Sequence, residues 1–193
     1  VTAPTITYTP LPFTCDGSVN RTLTTTITDA SGVPVAGIGL PVLYWRINAG
    51  AWTPATATFV SGSTYTFSFG IGAVVTDVVQ YYVVAQDLAG TPNFAQNQAI
   101  FTTAPTSVAL ISANAPITST LTYLIGSNSF SGSYNVGTAE TYTSLTGATG
   151  LFAALNAGTV TGNVTALITT DLVEDGTNQL NALNESGVGG YTV

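Results

Sequence analysis

Three carboxylates fall within five residues near the end of this chain: Asp171, Glu174 and Asp175, followed by Gly176. Hard cations take carboxylate and carbonyl oxygens, so the cluster is a candidate calcium site. Its spacing is not that of the EF-hand loop, and acidic turns that cap a helix at Thr177 are the commoner use of such residues. Tyr44 and Trp52 form a second candidate, because exposed aromatic rings stack on the apolar faces of sugars. Core packing or hairpin cover is the usual fate of both. Glu140 with Glu174 or Asp175 has the makings of a glycosidase pair, which needs a carboxylic acid facing a carboxylate across a cleft. Nothing in the spacing sets them so, and solvated turn residues are the simpler account.

The rest of the catalytic repertoire is absent. The chain has no histidine, lysine or methionine, and its only cations are Arg21 and Arg46. Nucleophilic schemes that pair serine or cysteine with histidine are therefore excluded. Zinc lacks ligands, with one cysteine and no histidine. Charged residues make up 6% of the chain, against about a quarter in an average soluble domain. Composition points away from catalysis and cofactors other than calcium.

A net charge of −7 repels phosphate backbones, and two scattered arginines cannot neutralise them, so nucleic acid binding is set aside. The long stretch between Asp87 and Asp171 carries one charge, Glu140, yet Gly, Pro, Asn and Thr break it before any membrane-spanning run develops. Cys15 is alone. Its expected state is a half-buried thiol near a strand end, with a link to another chain as the alternative. The chain opens with neither methionine nor leader, which suggests a protein processed or excised from something longer.

Residues that could position a site read mostly as short strands. In 22–28, four threonines alternate with Leu23, Thr25 and Ile27. That row of Thr22, Thr24, Thr26 and Thr28 is similar to the hydroxyl rows of ice-binding surfaces, but a useful array needs several rows in register. Leu43, Trp45 and Ile47 share one face, with Val42, Tyr44 and Arg46 opposite. Tyr65, Phe67 and Phe69 alternate with Thr64, Thr66 and Ser68, and Val79, Tyr81, Val83 and Ala85 share a face. About seven strands with regular turns and a core tryptophan on the third predict an all-β fold, an immunoglobulin-like (or fibronectin III-like) β-sandwich over 1–104. Residues 105–130 read as a linker with short strands, and 131–193 as the start of a second β-rich domain. Two short helices are expected there, around 151–155 and over 178–185. The final 189–193 looks like a strand that this module continues beyond.

Two groups of segments are familiar. The run 79–87 followed by Gly90 and Asn93, with 43–48, Ala51-Trp52 and 21–29, resembles immunoglobulin-like repeats of large Bacteroidota surface proteins. The order 142–146, 150–156, 162–165 and 174–177 is similar to the start of domains in the same proteins that lead into a right-handed parallel β-helix, its open end covered by a short helix. The resemblance implies secretion by the type IX route, residence outside the cell, and membership of long adhesins or filaments. On that basis the chain is expected to be a non-enzymatic structural or adhesive segment of a cell-surface filament. Its partners would be other copies, neighbouring modules of the same long protein, or a glycan or cell-surface ligand, without insertion in a membrane. The rival expectation is a carbohydrate-binding accessory region of a secreted polysaccharide-active enzyme.

Overall fold

The structure is a computed structural model describing residues 2–97, 101, 105–110 and 120–193. Eleven strands and one helix are present among them: β1 (Thr5–Thr7), β2 (Arg21–Thr28), β3 (Val42–Ile47), β4 (Thr53–Thr56), β5 (Thr58–Ser61), β6 (Thr64–Phe69), β7 (Val78–Gln86), β8 (Phe94–Asn97), β9 (Leu121–Leu124), β10 (Ser129–Val136), α1 (Leu151–Ala157) and β11 (Thr159–Ile168). The fold is all-β, as expected. The chain divides into two compact units. The first comprises Val1–Pro10, Val19–Ile71 and Val79–Thr122; the second comprises Leu11–Ser18, Gly72–Val78 and Tyr123–Val193.

Unit 1 is a sandwich of antiparallel sheets ordered β1-β2-β6-β5 and β4-β3-β7-β8. Alternation makes the core. Leu23, Thr25 and Ile27 of β2, with Tyr65, Phe67 and Phe69 of β6, are all almost wholly buried, while the threonines between them point outward. Val79, Tyr81, Val83 and Ala85 of β7 do the same for the second sheet. Thr25, the one hydroxyl on the inward face of β2, donates to the Tyr65 carbonyl at 3.3 Å, so its burial leaves no orphan.

The second sheet departs from simple alternation. Tyr82, Val84, Tyr44 and Val42, which period-two reading turns outward, are buried too. They pack beneath Val108, with Trp52, Phe94, Phe101 and Leu110 around them. Residues 105–110, read from sequence as linker, thus cover the outer face of β3 and β7. Trp45, expected in the core, is half-buried against Phe69 at a ring separation of 6.2 Å.

Unit 2 is built on parallel pairing. β10 and β11 run side by side in parallel from Ser129↔Thr159 to Val136↔Ile168, with a bulge between Phe130 and Gly132. Gly132 sits there at φ 83, a conformation that costs an L side chain and suits glycine. Parallel neighbours require a crossover, and α1 lies within it. Its buried face, Leu151, Ala154 and Leu155, joins Phe130, Val136, Val160 and Val164 in one core. Gly158, closing the helix, has no room for a side chain: a Cβ there would lie 2.4 Å from the Phe130 ring.

A third level stacks on β11. Val160 N–H donates to Asn184 O at 2.8 Å, Ser186 N–H to Val160 O at 3.0 Å, and Val164 N–H to Thr192 O at 2.9 Å. The helix expected over 178–185 does not form. Its backbone donors are taken by other levels of the stack: Asn178 N–H by Thr146 O at 2.7 Å and Asn181 N–H by Asn156 Oδ1 at 2.9 Å. Tertiary partners outcompete the i to i−4 bonds a helix would offer, and asparagine has little helical preference to resist them.

Candidate functional site

A cleft of about 400 Å³ opens in unit 2, bounded by residues 75–76, 125–127, 133–135 and 140–142. Small-molecule sites range from about 300 to 1,000 Å³. Its walls mix hydroxyls, an amide and a carboxylate with the rings of Tyr134 and Tyr142, which meet edge to face at 6.0 Å and 71°.

Each wall is held by backbone geometry. Gly137 N–H donates to Tyr142 O at 2.9 Å and Glu140 N–H to Gly137 O at 3.0 Å, closing the turn that carries Glu140. Gly137 fits under Thr169 and Thr170, where a Cβ would meet the Thr169 hydroxyl at 2.2 Å. Thr170 Oγ1 in turn accepts the Thr138 N–H at 3.0 Å. On the opposite side Thr76 N–H donates to Ile125 O at 2.7 Å, and Ile125 N–H to Asp77 O at 2.9 Å. Gly126 lies directly on the Phe13 ring, closer than any Cβ could be accommodated.

Two local features distinguish this cleft. Thr76 has φ 78, a left-handed conformation that is an outlier for a β-branched residue; the other non-glycine case among the described residues, Asn48 at φ 50, is of a type that tolerates it. Such strain persists only where its surroundings enforce it. The second feature is the state of Glu140. In unit 2, five of seven carboxylates accept hydrogen bonds from nearby N–H or O–H groups: Asp16 from Ser18, Asp77 from Val74, Glu174 from Leu145 and Thr146, Asp175 from Thr177, and Glu185 from Gly190 and Tyr191. The Glu140 carboxylate makes no such bond among the described residues. Burial pushes the Tyr142 phenol up to about 12, with Tyr134 and Cys15 adding to the effect, so it stays a neutral hydroxyl at physiological pH. Cys15 is half-buried; its thiol donates to Ser127 O at 3.1 Å, and burial raises its pKa.

Of the residues singled out from sequence, Glu140 lines the cleft, whereas Tyr44, Trp52, Asp171, Glu174 and Asp175 do not. Tyr44 is buried rather than exposed: its ring stacks on Tyr82 at 5.5 Å, its hydroxyl donates to Val108 O at 2.7 Å and accepts Leu110 N–H at 2.6 Å. No ring face is left for a sugar. Trp52 is half-buried, set edge-on to Tyr82 at 4.9 Å, with the Arg46 guanidinium 4.5 Å over its ring. Arg46 Nε also donates to Gln80 Oε1 at 2.6 Å, which fixes it there.

The acidic run is divided among separate tasks. Both Glu174 oxygens are taken, by Leu145 N–H at 2.7 Å and by Thr146 through its N–H at 2.7 Å and its hydroxyl. Desolvation raises the Glu174 pKa, but these donors outweigh it and hold the carboxyl below its ordinary value. Asp175 Oδ1 accepts Thr177 N–H at 2.9 Å, which lowers its pKa, and Asp171 is exposed. Among the described residues no group of three or more acids, cysteines or histidines converges for a metal. Neither Glu174 nor Asp175 lines the cleft with Glu140.

The hydroxyl row of β2 gains neighbours in the fold. Thr28 pairs with Thr5, Thr26 with Thr7 and Thr64, Thr24 with Thr66, and Thr22 with Ser68. The outward face of three adjacent strands therefore carries hydroxyls and no charge. No helix among the described residues is long and apolar enough to cross a membrane.

Neither a protein-family model nor a curated protein matches this sequence.

Proposed function

We propose that this chain is a non-enzymatic structural and adhesive segment of a large extracellular protein or filament, of the kind its sequence resembles in Bacteroidota proteins secreted by the type IX route. One observation carries the reading: unit 2 is a stack of parallel levels stapled at sequence separations of 23 to 32. Asn156 Nδ2 donates to Gln179 O, Asn178 Nδ2 to Gly147 O, Ser133 pairs with Thr165, and Thr192 N–H donates to Asn163 Oδ1. Stacks of this kind extend by adding levels and interact only with neighbouring ones, which makes them stiff spacers. We read the stack as the first coils of a parallel β-helix with α1 as cover. The uncharged hydroxyl face of β1, β2 and β6 and the sandwich of unit 1 suit contact and spacing outside a cell, and not turnover.

Beads coated with the 193-residue chain should attach to cells or polysaccharide-coated glass more than beads carrying an unrelated β-sandwich. The soluble chain should leave polysaccharides uncleaved. Absence of attachment, or hydrolysis by the purified chain, would sink the reading. The second reading, a carbohydrate-binding accessory region of a secreted polysaccharide-active enzyme, draws support from the cleft of unit 2 and not from Trp52, whose ring Arg46 covers.

A further inference from the structure

The geometry points to the unit 2 cleft as a binding site for a neutral saccharide, with Glu140 and Asn135 as its principal hydrogen-bonding groups. The inference rests on the contact-making role proposed above and names the ligand class that role would use.

Charge narrows the ligand first. Unit 2 contains no lysine, arginine or histidine, and seven carboxylates. Phosphates, sulfates and uronic acids would meet a negative field with no cation to receive them. A divalent cation is not served either, since a single carboxylate lines the cleft and hard ions take six or more oxygens. A polar, uncharged partner that can both donate and accept meets neither objection.

The inventory of the walls matches such a partner. A sugar hydroxyl donates to carboxylate oxygens and exchanges bonds with an amide and with hydroxyls. Glu140 offers two acceptor oxygens left unused by the fold, whereas most carboxylates of this unit are occupied as acceptors. Asn135 is exposed on β10 and offers both a donor and an acceptor. Thr76 and Thr141 add hydroxyls, and half-buried Tyr134 supplies an aromatic wall against which the C–H face of a pyranose packs. Thr76 is held at φ 78 in that wall, an enforced conformation of the kind found at ligand sites.

The test is a titration of the 15N-labelled chain with neutral disaccharides built from glucose, galactose, mannose and xylose, followed at the Asn135 and Thr141 amides. Saturable shifts at those amides in the low-millimolar range or tighter are expected for at least one sugar. Glu140→Ala should weaken binding about tenfold, the loss of a charge-assisted hydrogen bond, while the amide spectrum elsewhere stays folded. Trp52→Ala should leave affinity unchanged. Silence from all the neutral sugars, or equal affinity in Glu140→Ala, would overturn the assignment. Bead attachment measured in parallel separates the two ideas. Attachment that persists in Glu140→Ala and resists competing sugar removes the cleft alone, whereas wild-type beads that never attach remove the adhesive role.

Discussion

The first unit is electrically balanced, with Arg21 and Arg46 against Asp29 and Asp87, whereas the second carries the whole net charge of −7 and has no cation. The same chain has thus built two bodies with different ways of satisfying polar groups. Unit 1 buries long aromatic strands between antiparallel sheets and leaves its surface to threonine. Unit 2 has a smaller apolar core, ties its levels with asparagine amides and the Glu174 carboxylate, and closes turns with other carboxylates that accept backbone N–H bonds. With no counter-ions at hand, backbone donors serve as the positive partners. A cation-free unit can therefore hold seven acids, provided most of them are used as turn staples. Glu140 and Asp171 are the two not so used, and Glu140 is the one that lines the cleft.

The strongest way to break the contrast is in the core of the stack. Phe130→Ala removes a wholly buried ring shared by β10 and α1 and should destabilise unit 2 by about 3–5 kcal/mol. Hydrogen exchange should then rise across β10 and β11 before it rises in β7. Equal loss of protection in β7 would mean that the two units are one cooperative body. Gly158→Ala tests close packing from the opposite side: its Cβ collides with the Phe130 ring, for an expected loss of about 1–3 kcal/mol in a denaturant titration. Asn178→Ala deletes the amide that bridges to Thr146 O and Gly147 O, and a loss of about 1 kcal/mol is expected. No loss would show that the staples are incidental to the stack.

Acid and salt sharpen the comparison with smaller effects. In unit 2, hydrogen bonds hold Asp16, Glu174 and Asp175 below their ordinary pKa values, although desolvation is the largest single influence on Glu174 and opposes them. In unit 1 Asp87 is so held; burial pushes it up, and bonds from Asn93 and Ala89 more than compensate. A carboxyl lowered in the folded state stabilises it at pH values above the unfolded pKa, and that stability disappears as pH falls through the lowered value. Exchange protection should therefore decline from about pH 4 downward, and further in β11 than in β7. Raising ionic strength at neutral pH should stabilise unit 2 slightly by screening its like charges, and leave unit 1 unmoved. The reverse ordering in either experiment would contradict the division of charge.

Much of the sandwich could be read along the chain. The alternation in β2, β6 and the inward face of β7 is a local consequence of pleating, so the residues state which side is buried without help from the fold. Tyr44 and Tyr82 could not be placed that way. Their cover comes from Val108, far along the sequence, and period two cannot distinguish an outward face that meets water from one roofed by another segment. The expected helix over 178–185 failed for a related reason: its apolar spacing was real, but distant carbonyls and an asparagine side chain took its N–H groups. The cleft was the least legible part. Thr76, Asn135 and Glu140 are scattered over 65 positions, and of these Glu140 alone is singled out by the sequence, as half of a carboxylate pair whose other half lies outside the cleft.

Composition alone dictated a sparsely charged, β-rich chain without the side chains for common nucleophilic or zinc chemistry, because those limits depend on which groups exist and not on where they lie. Folding settled that Glu174 bridges to Leu145 and Thr146, which tyrosines were roofed over, and which carboxylate was left open in a cleft. Those outcomes hinge on partners more than twenty residues apart, and local spacing carries no record of such meetings.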